Sequence, residues 1–315
     1  MNRYADAHAS RNGPEDSRPS ALQVVQDEAN DRAARNNPLP NLVIIITGAT
    51  SGIGFETAKA LYHTGARILI TARDAEKGQE AIQKIQESVP YKNKAKNNIE
   101  AIVMELDSLE SVRSAAEEIL RRVERVNILI NNAGVARVPF RQTRDGFEQH
   151  WGINYAGHFF LTHELLPVLI KSSSPNFASR IVNITNTGHR LFLSHLQDRN
   201  FERTKYEPFS AYSTSKLAII YHSNYIDRHF SLHGVHAVAV HPGTIRDTNM
   251  INSLDNERVS FDEIAGYREE LKSVSQGAAT TVWAAISSSK TRVPENDDLL
   301  WEETRKDLAI EEKLV

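Results

Sequence analysis

The chain of 315 residues is 40% hydrophobic and 24% charged, enough apolar material for one large core or two small ones. Its formal net charge of -3, without any Lys/Arg block, discounts nucleic acid and acidic membrane surfaces as main partners. Cysteine is absent, which excludes a disulfide framework, a thiolate nucleophile and Cys-ligated zinc; the 12 histidines lack metal-ligand spacing, so no metal is expected.

The opening stretch, MNRYADAHASRNGPEDSRPS, lacks the apolar centre of a signal peptide. No window approaches the ~18 apolar residues a membrane helix needs, so a soluble, cytoplasmic protein is expected. Residues 1–19 are polar, carry Gly13, Pro14 and Pro19, and are expected to lie loose or drape over the surface. Ser20-Ala21-Leu22-Gln23 reads as a capping box, opening a short helix that carries Leu22, Val24 and Val25 and ends at Asn36-Asn37-Pro38. From Leu42 the texture changes to LVIII, a β-branched apolar run of the kind that forms a parallel strand buried on both faces. Strand-like runs follow at 66–70, 100–105, 126–130, 180–184 and 235–240. Helix-like segments lie between them, among them GIGFETAKALYHT, AEKGQEAIQKIQES, SVRSAAEEILRRV, the long DGFEQHWGINYAGHFFLTHELLPVLIK and AYSTSKLAIIYHSNYIDRHF. This alternation predicts an α/β fold, a doubly wound parallel sheet with helices on both faces. Without a linker after residue 41, the expected organisation is a polar extension over 1–40 and a single domain over 41–315.

The first strand runs straight into Thr47-Gly48-Ala49-Thr50-Ser51-Gly52-Ile53-Gly54, with a helix after it. Glycines here let the turn fold tightly, let backbone approach a pyrophosphate, and let helix pack on strand, while the helix N-terminus offers N–H groups and positive dipole. Gly48, Ser51, Gly52, Ile53 and Gly54 are therefore expected to hold a dinucleotide. In NAD-selective sites an acid near the end of the second strand holds the ribose 2′-hydroxyl. ILITARD instead places Thr71, Ala72 and Arg73 there. Arg73 is suited to a 2′-phosphate, so NADP(H) is the expected cofactor, with Asp74 capping the next helix.

In FSAYSTSKLAII, Tyr212 and Lys216 are four apart and share a helical face. An ammonium beside a phenol favours the phenolate and brings a tyrosine toward acid/base work at neutral pH. With this pair added to the glycine turn, the chain resembles the short-chain dehydrogenase/reductase superfamily from about residue 41 to about residue 285. TGATSGIG resembles its cofactor loop and ELD, with Asp107, its adenine contact. Asn131-Asn132-Ala133-Gly134 resembles the family's NNAG, Asn154 falls where its tetrad asparagine lies, and His241-Pro242-Gly243 looks like the turn beside the nicotinamide. SVSQGAATTVWAAI is similar to retinol-dehydrogenase-like and WW-domain-oxidoreductase-like members, and RYADAHA with ALQVVQDE to fungal sequences of that branch, some tied to specialised metabolism. The resemblance implies Asn132, Ala133, Gly134, Pro242 and Gly243 at the cofactor. It also implies a small-molecule substrate and association as a homodimer through the helices after strands four and five, for which Phe159, Phe160 and Leu161 supply apolar material.

Two departures stand out. The branch's fifth strand typically ends VNVSSxxH, its second serine donating to the substrate carbonyl and the tyrosine, whereas IVNITNTGH places Thr185 and Asn186 on the two serines. The lost hydroxyl is replaced either in kind by the Asn186 amide N–H or in position by Thr185 or Thr187 after a small backbone shift; where the strand persists, alternation turns both threonines away and favours Asn186 as the residue facing the substrate. Beyond HPG, Thr248 lies one residue later than the usual threonine contact to the nicotinamide carboxamide, with Asp247 in its place. The expected reaction is hydride transfer between nicotinamide C4 and a carbonyl or alcohol carbon. Tyr212 would carry the proton, and the resemblance implies that Lys216 holds the nicotinamide ribose and lowers the tyrosine's pKa while Asn154 fixes a water leading from Lys216 to solvent. The rivals are a non-redox isomerase or cyclase on the same scaffold and a nucleotide-binding protein without activity.

Overall fold

In the computed structural model, the described residues are 3–36, 39, 41–88, 98–190, 193–245 and 269–287. Six parallel strands form the central sheet: β1 (Val43–Thr47), β2 (Arg67–Ala72), β3 (Ile99–Val103), β4 (Ile128–Asn131), β5 (Ser179–Ile184) and β6 (Val235–Val240). Their order is β3-β2-β1-β4-β5-β6. The helices are α1 (Ala5–Ala9), α2 (Ala21–Ala34), α3 (Gly52–Tyr62), α4 (Ala75–Glu87), α5 (Leu109–Arg122), α6 (Gly157–Ser172), α7 (Pro208–Phe230) and α8 (Val274–Ile286). A two-stranded pair, β7 (Thr244–Ile245) and β8 (Leu271–Lys272), lies outside the main sheet.

The sheet is covered on both faces, and the alternation of β1 shows how. Ile44 and Ile46 enter a core shared with α2, α3, α4 and α8, while Val43 and Ile45 enter another with α5, α6 and α7. All five residues of β1 are buried, as a strand sandwiched between helix layers demands. Strand order reverses between β1 and β4, and ligands of such sheets bind beyond the strand ends at that point.

Several local expectations change. Asp145 to Glu148 are not helical; Gly146 takes φ 82 and the helix opens at Gln149. Its next turn, Trp151–Ala156, is a π-helix, closed by Gly157 N–H on Gly152 O. The glycines permit it, since a Cβ at Gly152 would stand 2.3 Å from Thr143 Cγ2 and one at Gly157 2.9 Å from Leu106. Ser20 caps α2 through the Gln23 N–H, but the Gln23 amide donates to Asp27 at 2.8 Å, so the capping box is half made. The full reciprocal box occurs instead at Ser273 and Gln276, opening α8.

The N-terminal segment drapes but is not loose. Arg18 is buried and donates to the carbonyls of Gly13 and Glu270 at 3.0 Å and to that of Leu271 at 2.5 Å. Gln276 Nε2 donates in turn to Asp16 O at 3.2 Å and Arg18 O at 3.1 Å. Arg180 and Arg32 close the other end of α8, donating to Ala284, Ala285, Ser287 and Ile286 carbonyls. Phe159, Phe160 and Leu161 are 0%, 2% and 0% exposed, so they belong to the core beneath α6 and leave the expected homodimer without its apolar material. Among the described residues no helix is long and apolar enough to cross a membrane.

Candidate active site

The carboxyl ends of β1, β4 and β5 bring the glycine turn, the NNAG loop and the Asn186 turn to one edge. Thr47, the last residue of β1, is the clasp. Its Oγ1 accepts the N–H groups of Asn132 at 2.9 Å and Ala133 at 3.0 Å, and the Asn132 amide returns a bond to Thr47 O at 3.0 Å. The hydroxyl proton is directed at His158 Nε2, 2.8 Å away, because His158 Nδ1 faces Asn154 O at 2.9 Å and must be its donor.

This clasp explains the glycines. Gly48 has φ 65, and a Cβ there would stand 2.8 Å from Ala133; at Gly54 it would stand 2.4 Å from Asn132 Nδ2 and from Gly48 O. Gly52 has φ 57, and Ser51, the N-cap of α3, makes no side-chain cap bond. The N-terminus of α3 thus carries no side-chain cap beside Gly48, Ser51, Gly52 and Ile53, where a pyrophosphate would take the first-turn N–H groups. Arg73 is exposed immediately beyond β2, whereas Asp74 accepts the Lys77 N–H at 2.7 Å and caps α4 as expected. Asp107 lies past β3, half-buried, its carboxylate 4.0 Å from Arg144 Nε. Pro242 is buried and Gly243 takes φ 95 against the Lys272 side chain. Thr248 lies outside the described residues.

At the candidate reaction centre, Asn186 Nδ2 donates to the Tyr212 phenol oxygen at 2.5 Å. The amide's orientation is set by its other end, because Asn186 Oδ1 accepts the Gly188 N–H at 2.9 Å. Thr185 is buried and donates to Lys216 O at 2.9 Å, and Thr187 is exposed. Asn186 alone of the three meets the tyrosine. Lys216 is buried, its Nζ 2.8 Å from Ile184 O and 5.6 Å from the Tyr212 ring centroid. Burial pulls the Lys216 ammonium down to about 8. Burial pushes the Tyr212 phenol up to about 12, opposed by the Asn186 hydrogen bond and the charge of Arg137. A second cation, Arg137, which the sequence reading did not single out, also bears on the phenol.

Asn154 lies within the π-helical turn, a feature frequent at functional sites. Its Oδ1 accepts the Val135 N–H at 2.8 Å, and its Nδ2 reaches Val135 O and Ser215 Oγ, each at 3.0 Å. The side chain clamps the NNAG loop to α7 beside Gly134 and Lys216. Two further participants, Thr47 and His158, escaped the sequence reading; a hydroxyl ending β1 at the glycine turn was the available signal for the first.

Comparisons with known proteins agree. The sequence profile of the short chain dehydrogenase family matches residues 42–195. The chain is 37% identical over 285 residues to short-chain dehydrogenase/reductase prx1 of Penicillium roqueforti, covering 90% of this chain and 79% of that protein. It is 37% identical over 259 residues to retinol dehydrogenase 11 of Mus musculus, covering 80% and 75% respectively. Among solved structures, a short-chain type dehydrogenase/reductase from Mycobacterium marinum superposes with a TM-score of 0.65 at 18% identity, over 81% of this chain and 92% of that one, a likeness of fold. With its doubly wound sheet and these relatives, the chain belongs to the short-chain dehydrogenase/reductase family and is retinol-dehydrogenase-like.

Proposed function

We propose that the protein is an NADP(H)-dependent oxidoreductase that interconverts a carbonyl and an alcohol on a small, largely apolar organic substrate, in fungal specialised metabolism. The carrying observation is the Tyr212 phenol, held by Asn186 at 2.5 Å at the same sheet edge as the glycine turn. Resemblance to fungal members of the family supports the metabolic setting, and freedom from cysteine suits a reducing compartment such as the cytoplasm.

The nicotinamide nucleotide, when bound, supplies hydride to the carbonyl carbon or accepts it from the alcohol carbon. Gly48, Ser51, Gly52, Ile53 and Gly54 would hold its pyrophosphate, Asp107 its adenine, and Asn132, Ala133, Gly134, Pro242 and Gly243 its nicotinamide side. Tyr212 delivers its phenolic proton to the carbonyl oxygen in reduction and recovers it in oxidation. Because Asn186 donates to the phenol oxygen, the phenol's own hydrogen is left to point at substrate. The second N–H of the Asn186 amide serves as the oxyanion donor. A phenol lifted to about 12 holds its proton at neutral pH, the state reduction requires. Lys216 would hold the nicotinamide ribose, and Asn154 keeps the loop carrying Val135 fixed against α7.

Cofactor choice rests on Arg73. The end of β2 carries Thr71 and Ala72, with Arg73 just beyond and no acid at the ribose position; Asp74 caps α4, and the Arg73 guanidinium suits a 2′-phosphate. Fluorescence titration should show tighter binding of NADPH than NADH, and Arg73→Ala should erase most of the difference. Equal affinities in the unmutated protein would overturn the cofactor assignment. A panel of ketones, aldehydes and alcohols that yields no nucleotide-linked conversion would overturn the redox assignment.

A further inference from the structure

Residues 13–18 join the fold through one buried guanidinium. The side chains of Arg18 and Asp16 are 2% and 4% exposed and meet at 2.8 Å through Nε and Oδ1. The other Arg18 N–H groups go to carbonyls: Nη1 to Glu270 O at 3.0 Å, and Nη2 to Gly13 O at 3.0 Å, Leu271 O at 2.5 Å and Glu269 O at 3.3 Å. Three successive carbonyls entering β8 are thus gathered by one planar fork, a geometry only arginine supplies. Gly13 N–H returns a bond to Glu269 O at 3.1 Å. Gln276 locks the other side. Its Oε1 accepts the N–H groups of Glu15 and Ser273, each at 3.0 Å, and its Nε2 donates to Asp16 Oδ1 and Arg18 O, each at 3.1 Å. A buried polar network of this kind rigidifies what it holds.

It holds one side of the candidate nucleotide site. β7 and β8 are two residues each, and a pair so short is marginal without outside support. β7 begins immediately after Gly243, and the Lys272 side chain of β8 lies across that glycine, where a Cβ would stand 2.8 Å from Lys272 Cδ. Ile245 of β7 packs on the start of α8: a Cβ at Gly277 would stand 2.7 Å from Ile245 Cδ1 and 3.7 Å from Ile53 Cγ1. Contacts therefore run from Arg18 through residues 269–272 to the Pro242–Gly243 turn, and through Gly277 to the first turn of α3. The parts read as the adenine side, Arg73 after β2 and Asp107 after β3, belong to the β3 end of the sheet, whereas this turn follows β6 at the other end.

We propose that Arg18 is a positioning residue for the nicotinamide half of the nucleotide: through β8 it sets the Pro242–Gly243 turn, which makes residues 13–18 a part of the site. The inference rests on the reading of that turn as the nicotinamide side of a bound nucleotide. A brace at one end of the sheet acts on one half of the ligand, whereas a support for the fold alone favours neither half.

The test is calorimetric titration of the full-length protein with NADPH and NADH, and with adenosine 2′,5′-bisphosphate and AMP, which share the adenine halves of the two dinucleotides and lack the nicotinamide. Arg18→Met should weaken the dinucleotides by roughly 3- to 30-fold, the reach of a residue acting through others, and the adenine-half ligands by less than about 2-fold. Arg18→Lys, charged but without the fork, should fall between. Asp16→Asn keeps the shape and removes the charge partner, and it should repeat the pattern where Arg18→Met does not fold. Coupling is reciprocal, so hydrogen exchange of the unmutated protein reads it in reverse: a dinucleotide, but not its adenine half, should slow amide exchange in residues 13–18. Affinities for whole and half ligands that fall together would assign Arg18 to folding and overturn the proposal. Dinucleotide affinity untouched in the variants, or exchange at 13–18 indifferent to the dinucleotide, overturns it equally while leaving the nucleotide reading in place. An unmutated protein that binds neither dinucleotide removes that reading, and this one with it.

Discussion

Asn186 shows how one side chain changes a site without dismantling it. Strand alternation predicts that it faces the substrate side, and the structure puts its amide on Tyr212 with Gly188 holding the other end. An amide donates but cannot relay a proton as a hydroxyl can. Tyr212→Phe should therefore remove nearly all turnover with little change in NADPH affinity, whereas Asn186→Ala should cost about 10²-fold in kcat through lost stabilisation of the developing oxyanion. Asn186→Ser, restoring a hydroxyl, should keep or raise redox activity. Steady-state kinetics with nucleotide titrations on the three variants check this, and an Asn186→Ala enzyme with unimpaired turnover would remove Asn186 from the mechanism.

Among the elements, the glycine turn and the NNAG loop act as one piece. Glycines before a helix are legible as a phosphate site from their order in the chain. That Gly54 also packs against the Asn132 amide is not, because the contact joins residues far apart in sequence. A methyl at 54 would stand 2.4 Å from both Asn132 Nδ2 and Gly48 O, and neither backbone turn can give way without moving the other. Gly54→Ala should accordingly lower stability by roughly 1–3 kcal/mol and weaken NADPH binding by 10-fold or more. Denaturant midpoints and nucleotide titrations of the variant measure the two effects; a variant that binds NADPH normally would show that the clasp does not shape the site.

For the whole molecule, buried histidines set the acid limit. Burial holds His158, between Thr47 and Asn154, down at about 4, and burial with the nearby His158 holds His222 down at about 3. Both folded values lie below the ordinary 6.5, so between there and these values the unfolded chain binds more protons than the folded one. Stability from these groups is therefore full above the ordinary value and is lost as pH falls. Each histidine contributes about 1.4 kcal/mol per pH unit within its window. Unfolding free energy should drop by roughly 3–5 kcal/mol between about pH 7 and about pH 4.5. His158→Gln, which can keep both hydrogen bonds without titrating, should flatten the slope. Urea denaturation across that range checks it, and a pH-independent stability would contradict it.

What the sequence by itself determined is what depends on neighbours along the chain. Apolar runs broken by helical periods specified a doubly wound parallel sheet, the glycine order specified the turn after β1, and the four-residue spacing put Tyr212 and Lys216 on one face of α7. The opposite facing of Thr185 and Asn186 matches the alternation expected from the sequence, although β5 itself ends at Ile184. Only the tertiary structure decided the rest. It turned Phe159, Phe160 and Leu161 inward, since a helix packed between a sheet and α5 has little outer face to spare. It pinned residues 13–18 to the end of α8 through the buried Arg18, and it drew Lys216 to the Ile184 carbonyl. It also laid the Arg137 guanidinium over the Phe209 ring, three residues before Tyr212 on α7. Burial and side-chain partnership across the fold set these outcomes, and neither is written in local order.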